Sequence, residues 1–452
     1  MGKARHLAFC GRPAGRHFRV AASASMTIAR IGFALLSMPA TPSAPFRRAS
    51  MTNDERRASF SLASIFALRM LGLFLVLPVF ALEAAHYPGG GDPVLVGLAL
   101  GLYGLVQAVF QAPLGMASDR FGRKRVIVLG LLIFAAGSLV GALAGSVYGL
   151  MAGRALQGAG AISAAVTALL ADQTRDEVRT KAMALVGASI GLMFALSLLA
   201  APPLSAWLGG LSGLFWLTGA LSLAGVGLVL WVTPAEPPHK LHEAHEAESH
   251  PAAAPVGVWR HPLLWRLNLG IFVLQAVQMA MWVVVPGLLV GAGLGKAEHW
   301  HLYLPAVLAS FVLLGGLFSL ERRGHLALAL RGSIVLYLLV QLIFCWIAPR
   351  QPGLWALGVA LFLFFVAFNA IEASLPSLVS RLAPQAVRGQ ALGVFNTLQS
   401  LGLFAGGALG GWLLKEQGAA AVFVAGAALS ALWLALGWKQ PVHAPAKEPG
   451  TA

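Results

Sequence analysis

Twelve apolar stretches, each long enough to cross a bilayer, follow one another along this chain, and they leave few folds open. They run over 61–83, 94–116, 126–147, 149–171, 182–203 and 214–233, then 263–287, 302–320, 333–349, 354–378, 391–414 and 419–438. At about 1.5 Å of rise per residue, each can span a hydrocarbon core of roughly 30 Å as a helix. Only 11% of the 452 residues are charged, against roughly 25% in soluble domains, too few to coat a water-facing surface. A transmembrane β-barrel would show strands of about ten residues with alternating polarity instead of continuous apolar runs. Cys10 and Cys345 alone cannot make a disulfide scaffold. The expected class is an all-α membrane protein with 12 transmembrane helices.

The formal charge is +15, and its placement explains it better than a nucleic-acid partner does. Residues 1–50 hold eight Lys/Arg and no acid. They read as an extension or disordered segment ahead of a start at Met51, where Met-Thr-Asn-Asp-Glu-Arg-Arg forms an ordinary polar lead. A targeting peptide built on the apolar run Ile31–Met38 is the other reading. From Met51 onward, 19 Lys/Arg lie in the tails and even-numbered links, against Lys296, Arg350 and Lys415 in the opposite links. By the positive-inside rule both termini then face the cytoplasm.

The longest link, 234–262, separates a six-span segment over 51–233 from another over 263–438, with 439–452 left as a cytoplasmic tail. The link is rich in Pro, His and Glu, the composition of a solvated tether. His239, His242 and His245 invite a metal reading, but Glu246 stands where a zinc-protease motif begun by His242-Glu243 needs its second His. No metal site is expected. The halves also echo each other. Val178-Arg179-Thr180-Lys181-Ala182-Met183 leads into span five, and Val387-Arg388-Gly389-Gln390-Ala391-Leu392 leads into span eleven; Gly191-Leu192 and Gly402-Leu403 follow. Equivalent spans of equal orientation indicate parallel repeats about an axis along the membrane normal, with a site between them near mid-depth.

The most specific motif lies between spans two and three: Gly115-Met116-Ala117-Ser118-Asp119-Arg120-Phe121-Gly122-Arg123-Lys124-Arg125. One carboxylate stands among four cations in a very short turn. Asp119 is placed to pair with Arg123 and to face the N-terminus of a helix from the other half, where partial positive charge is available. A contact made in one conformation and broken in another is a switch, and Gly115, Asp119, Arg120, Gly122, Arg123 and Arg125 are its candidate parts.

This loop resembles the signature of the major facilitator superfamily, GxLaDrxGrkxxl, departing at Ala117-Ser118. Gly153-Arg154-Ala155-Leu156-Gln157-Gly158-Ala159-Gly160 resembles the family's RxxxGxG motif. Leu68–Gly72 with Leu77–Leu82, Leu267–Phe272, Glu298-His299-Trp300 with Tyr303-Leu304, and Phe368–Arg381 are similar to the YajR-type branch of drug:proton antiporters. The likeness extends over all twelve spans. It implies two pseudo-symmetric six-helix bundles that rock about a central cavity. That branch carries a soluble C-terminal domain, whereas this chain stops 14 residues after Trp438, so regulation through such a domain is not expected.

Ionisable residues at membrane depth are costly and therefore functional candidates. Arg69 and Glu372 fall at similar depth by helical rise and carry opposite charges, which suggests an ion pair or one that alternates with proton or substrate binding. Arg154 is the other embedded cation. Amides and a phenol recur at helical spacing, namely Tyr103, Gln107, Gln111, Gln157, Asn268, Gln275, Gln278, Asn369 and Asn396. Each reads singly as a link between helices, and together as candidates to line a cavity.

Gly291–Ala297 looks like a phosphate loop, but Val290 and Ala297 stand where Gly and Ser/Thr are required. No cofactor is expected, and energy must come from an ion gradient, with protons the expected ion, or from the substrate itself. No nucleophile–base constellation marks an enzyme. The reading is a secondary transporter, acting as a monomer, that exports small amphipathic molecules by alternating access. Uptake of a small metabolite with protons is the alternative, because Ala201-Pro202 replaces the Gly-Pro of the efflux motif in span five.

Overall fold

Hydrocarbon offers backbone N–H and C=O groups no partner, so each apolar stretch must satisfy its own by closing into a helix. The computed structural model describes residues 50–236, 262–322, 326–383 and 388–437, and within them the chain is helical with no strand. The first half comprises α1 (Asn53–Ala84), α2 (Pro93–Phe121), α3 (Arg123–Ala142), α4a (Val147–Ala159), α4b (Ser163–Asp172), α5 (Asp176–Leu208) and α6 (Leu211–Gly227). The second comprises α7 (Pro262–Gly291), α8 (Trp300–Arg322), α9 (Leu326–Ile347), α10 (Leu354–Leu382), α11 (Arg388–Gln417) and α12 (Ala419–Gly437). Counting α4a and α4b as one, 12 helical spans are long and apolar enough to cross a membrane. The histidines of the linker lie outside the described residues.

Several helices overrun their apolar stretches because polar residues cap them. Thr52 accepts from the Glu55 backbone at 3.2 Å, and the Thr52 N–H donates to the Glu55 carboxylate at 2.8 Å. This capping box starts α1 well before its first apolar turn. Span four departs from expectation: it breaks at 160–162, in the Gly158-Ala159-Gly160 stretch. A Cβ at Gly158 would press on the Tyr103 carbonyl of α2, and one at Gly160 on the Gly130 carbonyl of α3. The glycines allow the close approach, and the break frees the Gly160 carbonyl for another donor.

The two halves repeat one packing scheme. α1 packs on α5 and α6, α2 on α4a, and α3 on α4a and α6. Six helices later, α7 packs on α11 and α12, α8 on α10, and α9 on α10 and α12. Across the halves α2 meets α11, α5 meets α8 and α1 meets α7, pairings that map onto themselves when the halves exchange.

The α2–α3 turn, the start of α1 and the ends of α4b and α6 share one end of the protein, here called the switch-loop face. The ends of α1, α7 and α11 and the start of α2 share the far face. The halves meet tightly toward the far face. A Cβ on Gly97, Gly101, Gly104, Gly407 or Gly411 would come closer than 3.0 Å to backbone of the opposing helix in the α2–α11 pair. Toward the switch-loop face, Gly187, Gly191 and Gly393 would meet nothing within 4 Å among the described residues. Two ion pairs tie the far-face ends of opposite halves: Lys296 Nζ to Glu83 at 3.2 Å and Lys415 Nζ to Asp92 at 2.9 Å.

Backbone contact of this kind tolerates no added side chain. Gly97→Val, introduced beside an Asp92→Cys/Lys415→Cys pair, should cut disulfide cross-linking of the far face several-fold relative to the pair alone.

Candidate functional site: switch loop and buried charges

The turn at Gly122 adopts φ 99°, a left-handed conformation that glycine reaches without strain. This folds Arg123, the first residue of α3, back over the end of α2. Its guanidinium pairs with Asp119 one turn earlier, donates to the Ser118 hydroxyl at 3.0 Å, and reaches Asp172 at the end of α4b at 3.1 Å. One cation therefore joins three helix ends. Arg120 lies over the Phe121 ring at 5.5 Å, and both it and Arg125 are exposed. A Cβ on Gly115 would meet Ala164 of α4b at ordinary contact distance. The second-half helix starts that Asp119 was expected to face adjoin residues outside the described ones.

Two acids of this network were not singled out in the sequence. Asp172 carried a weak signal, as an acid closing a span on the cation-rich side. Glu236 carried none, since it opens the linker. No side chain at Gly122 caps α3; instead the Glu236 carboxylate accepts from the Lys124 backbone N–H, where a helix N-terminus favours negative charge. Lys124 Nζ donates to the Thr233 carbonyl at 2.7 Å, Gln173 to the Pro234 carbonyl at 3.0 Å, and Arg57 to the Val232 carbonyl at 3.0 Å. The segment leaving α6 is thus fastened to the switch loop.

The expected Arg69–Glu372 ion pair is absent. Arg69, 1% exposed, donates through Nη2 to the Tyr103 hydroxyl at 3.1 Å and to the freed Gly160 carbonyl at 3.3 Å, and lies 5.4 Å from the Phe134 ring centre. Helical rise says nothing about which way a side chain faces, and this one turns into its own half. Arg154 does likewise: it donates to Gln157 at 3.1 Å and the Leu100 carbonyl at 3.4 Å, with its guanidinium 4.9 Å from the Tyr103 ring centre. Tyr103 therefore serves both cations, by its oxygen to one and its π-face to the other.

Glu372 sits in the second half on α10. Its two carboxylate oxygens accept from Gln275 of α7 and Gln399 of α11, each at 2.9 Å. It is a carboxylate held by neutral amides. Among the remaining polar candidates, Gln157 and Asn369 link helices within one half instead of lining a shared space: Gln157 donates to Ser138 at 2.9 Å and Asn369 to Ser310 at 2.9 Å. Gln107, Gln111, Asn268 and Gln278 are buried, and Asn396 is half-buried. Between the halves Phe194 of α5 packs edge-on to Phe74 of α1 at 5.2 Å and reaches Phe365 and Phe368 of α10 at 6.2 and 6.1 Å.

Residues 62–407 match the profile of the Major Facilitator Superfamily. The chain belongs to that superfamily. It is 43% identical over 385 residues to the inner membrane transport protein YajR of Escherichia coli strain K12, covering 85% of this chain and 83% of that one. Multidrug resistance protein 2 of Bacillus subtilis strain 168 is 25% identical over 80% of this chain and 90% of its own. Among solved structures, a bacterial homologue of the human lysosomal transporter Spinster, inward-facing and occupied, superposes with a TM-score of 0.68 at 15% identity. It covers 86% of this chain and 97% of its own. This protein is therefore a multi-pass membrane transporter, and neither an enzyme nor a receptor of another fold.

Two outcomes test the transporter's charge arrangement. Tyr103→Phe removes a hydrogen bond to a buried cation and should lower stability by about 1.5–3 kcal/mol, read as a lower melting temperature of the full chain in detergent. At the far face, the hydrogen bond from Lys415 holds the Asp92 carboxyl below the usual carboxylate range, helped by the Val94 N–H. A depressed carboxyl contributes above its ordinary value and loses its contribution only as pH falls through the lowered one. The Asp92–Lys415 tie should therefore persist unchanged between about pH 5 and 8, measured as a constant distance between labels at neighbouring Gly91 and Glu416.

Proposed function

We propose that this transporter exports small amphipathic molecules in exchange for protons, without a cofactor, as a monomer in a bacterial inner membrane with its switch-loop face in the cytoplasm. The observation that carries the reading is Glu372. Among the described residues it is the one acid in the interior of a span, it has no cationic partner, and its two amide donors carry no charge. A carboxylate of this kind binds either a proton or the positive part of a substrate, and competition between the two at one group is the physical basis of antiport. The Phe194, Phe365 and Phe368 cluster between the halves gives an apolar body a place to lie. The orientation is supported by the cation bias of the links, and export by the similarity to multidrug resistance proteins.

The packing supports alternating access. The α2–α11 contact closes the far, outer side, while the Arg123 bridge ties helix ends within the first half so that it moves as a body. Glu372→Gln should abolish proton-driven transport in proteoliposomes while expression and melting temperature stay near wild type. Unchanged coupling would remove Glu372 from the mechanism. A susceptibility screen of a deletion strain separates direction: hypersensitivity to amphipathic toxicants is expected, and loss of growth on one nutrient instead would establish uptake.

A further inference from the structure

Near the outer ends of α7 and α8 the structure buries four polar atoms without a partner: both ring nitrogens of His299, the Tyr303 hydroxyl and the Trp282 indole N–H. His299 and Tyr303 are 0% exposed and Trp282 4%. The three rings form one cluster. Tyr303 meets Trp282 edge-on with centroids 5.7 Å apart, and meets His299 edge-on at 5.9 Å. Unpaired buried polar atoms are rare in folded proteins, and four on one cluster of touching rings call for an occupant. The indole only donates, the phenol donates and accepts, and a neutral imidazole does one of each. That set fits water, and it includes one base. It does not fit a metal, which needs three or four ligands.

The surroundings leave the imidazole without an ionic partner. On its own segment Lys296 is engaged with Glu83 of α1, and Glu298 and His301 are exposed. The outer turns of α5 (192–208), α7 (279–291) and α10 (354–368) contain no Asp, Glu, Lys, Arg or His, and the end of α9 adds Cys345 and exposed Arg350. The Leu294 carbonyl lies beside the ring as a backbone acceptor. Histidine is the side chain whose ordinary titration falls within physiological pH, and this one starts α8, one turn from the Lys296–Glu83 tie between the halves.

We propose that His299 is a second proton-binding site of the transporter, loaded from the outer side through water held among His299, Tyr303 and Trp282. This rests on the proton-coupled reading above. The step is a simple transfer: a proton from outer water adds to the lone pair of the unprotonated ring nitrogen and leaves a water or hydroxide behind. The second ring N–H then turns to the Leu294 carbonyl. In the state described here the ring is sealed, so loading belongs to the state in which the outer ends have parted.

The test is imidazole NMR on the full chain in lipid nanodiscs, with the His299 signal assigned by its loss in His299→Gln and, as a second variant, His299→Asn. The signal should move with a single midpoint between about pH 5 and 8, and Tyr303→Phe should shift that midpoint. In proteoliposomes, His299→Gln should flatten the dependence of ethidium transport on outer pH while equal-pH ethidium exchange is retained. A His299 signal that does not move over that range, or a wild-type outer-pH profile in both histidine variants, overturns the proposal. If wild-type protein shows no proton-driven transport at all, the export reading fails on its own, and the NMR titration still decides whether His299 binds a proton.

Discussion

An ionised side chain in hydrocarbon must be compensated, and this transporter compensates its three deepest charges without one ion pair between them. In the first half, Arg69 and Arg154 are neutralised diffusely, by backbone carbonyls, an amide and aromatic faces, with Tyr103 shared by both. This binds α1, α2 and α4a into a single unit, because moving any one of them would strand a buried cation. In the second half, Glu372 is held by two neutral amides, with no fixed charge that would have to be left behind when it takes a proton. One half is thereby suited to rigidity and the other to a change of charge.

The glycines complete that division. Where α2 and α11 meet, backbone lies on backbone, and the Lys296–Glu83 and Lys415–Asp92 ion pairs tie the halves at the same face. Surface ion pairs are weak, and packing between small residues is reversible because no side chains need repacking when it parts. The Arg123 bridge at the opposite face ties α2, α3 and α4b within one half, so it preserves the half as a body. The linker contributes to this through Glu236, which caps α3 in place of a local side chain.

Much of this was legible in the sequence, for physical reasons. Apolar run length fixes the number of spans in a bilayer, and the short Asp119–Arg123 spacing lets the two pair across the turn at Gly122. Glu372 stood out because a lone acid at depth is expensive. What the sequence could not supply was direction around each helix axis. Arg69 is expected to pair with Glu372 or to alternate with it, and in this state it turns to Tyr103 and to the Gly160 carbonyl, which depends on a helix break that periodicity does not reveal. Gln157 and Asn369, which read singly as links between helices, each serve a hydroxyl within their own half. Glu236 was invisible because its partner lies 112 positions away. The buried His299 cluster was seen only as part of a family likeness.

The central claim is that two rigid halves rock about the space between them, closing one face as the other opens. Distance measurements between spin labels test it most directly, with one pair at exposed Ala85 and Glu416 on the far face and another at exposed Glu177 and Gln390 on the switch-loop face. Across a pH gradient or on addition of a transported compound, the far-face distance should lengthen as the switch-loop distance shortens. Distances that stay fixed, or that change in the same direction together, would contradict the account.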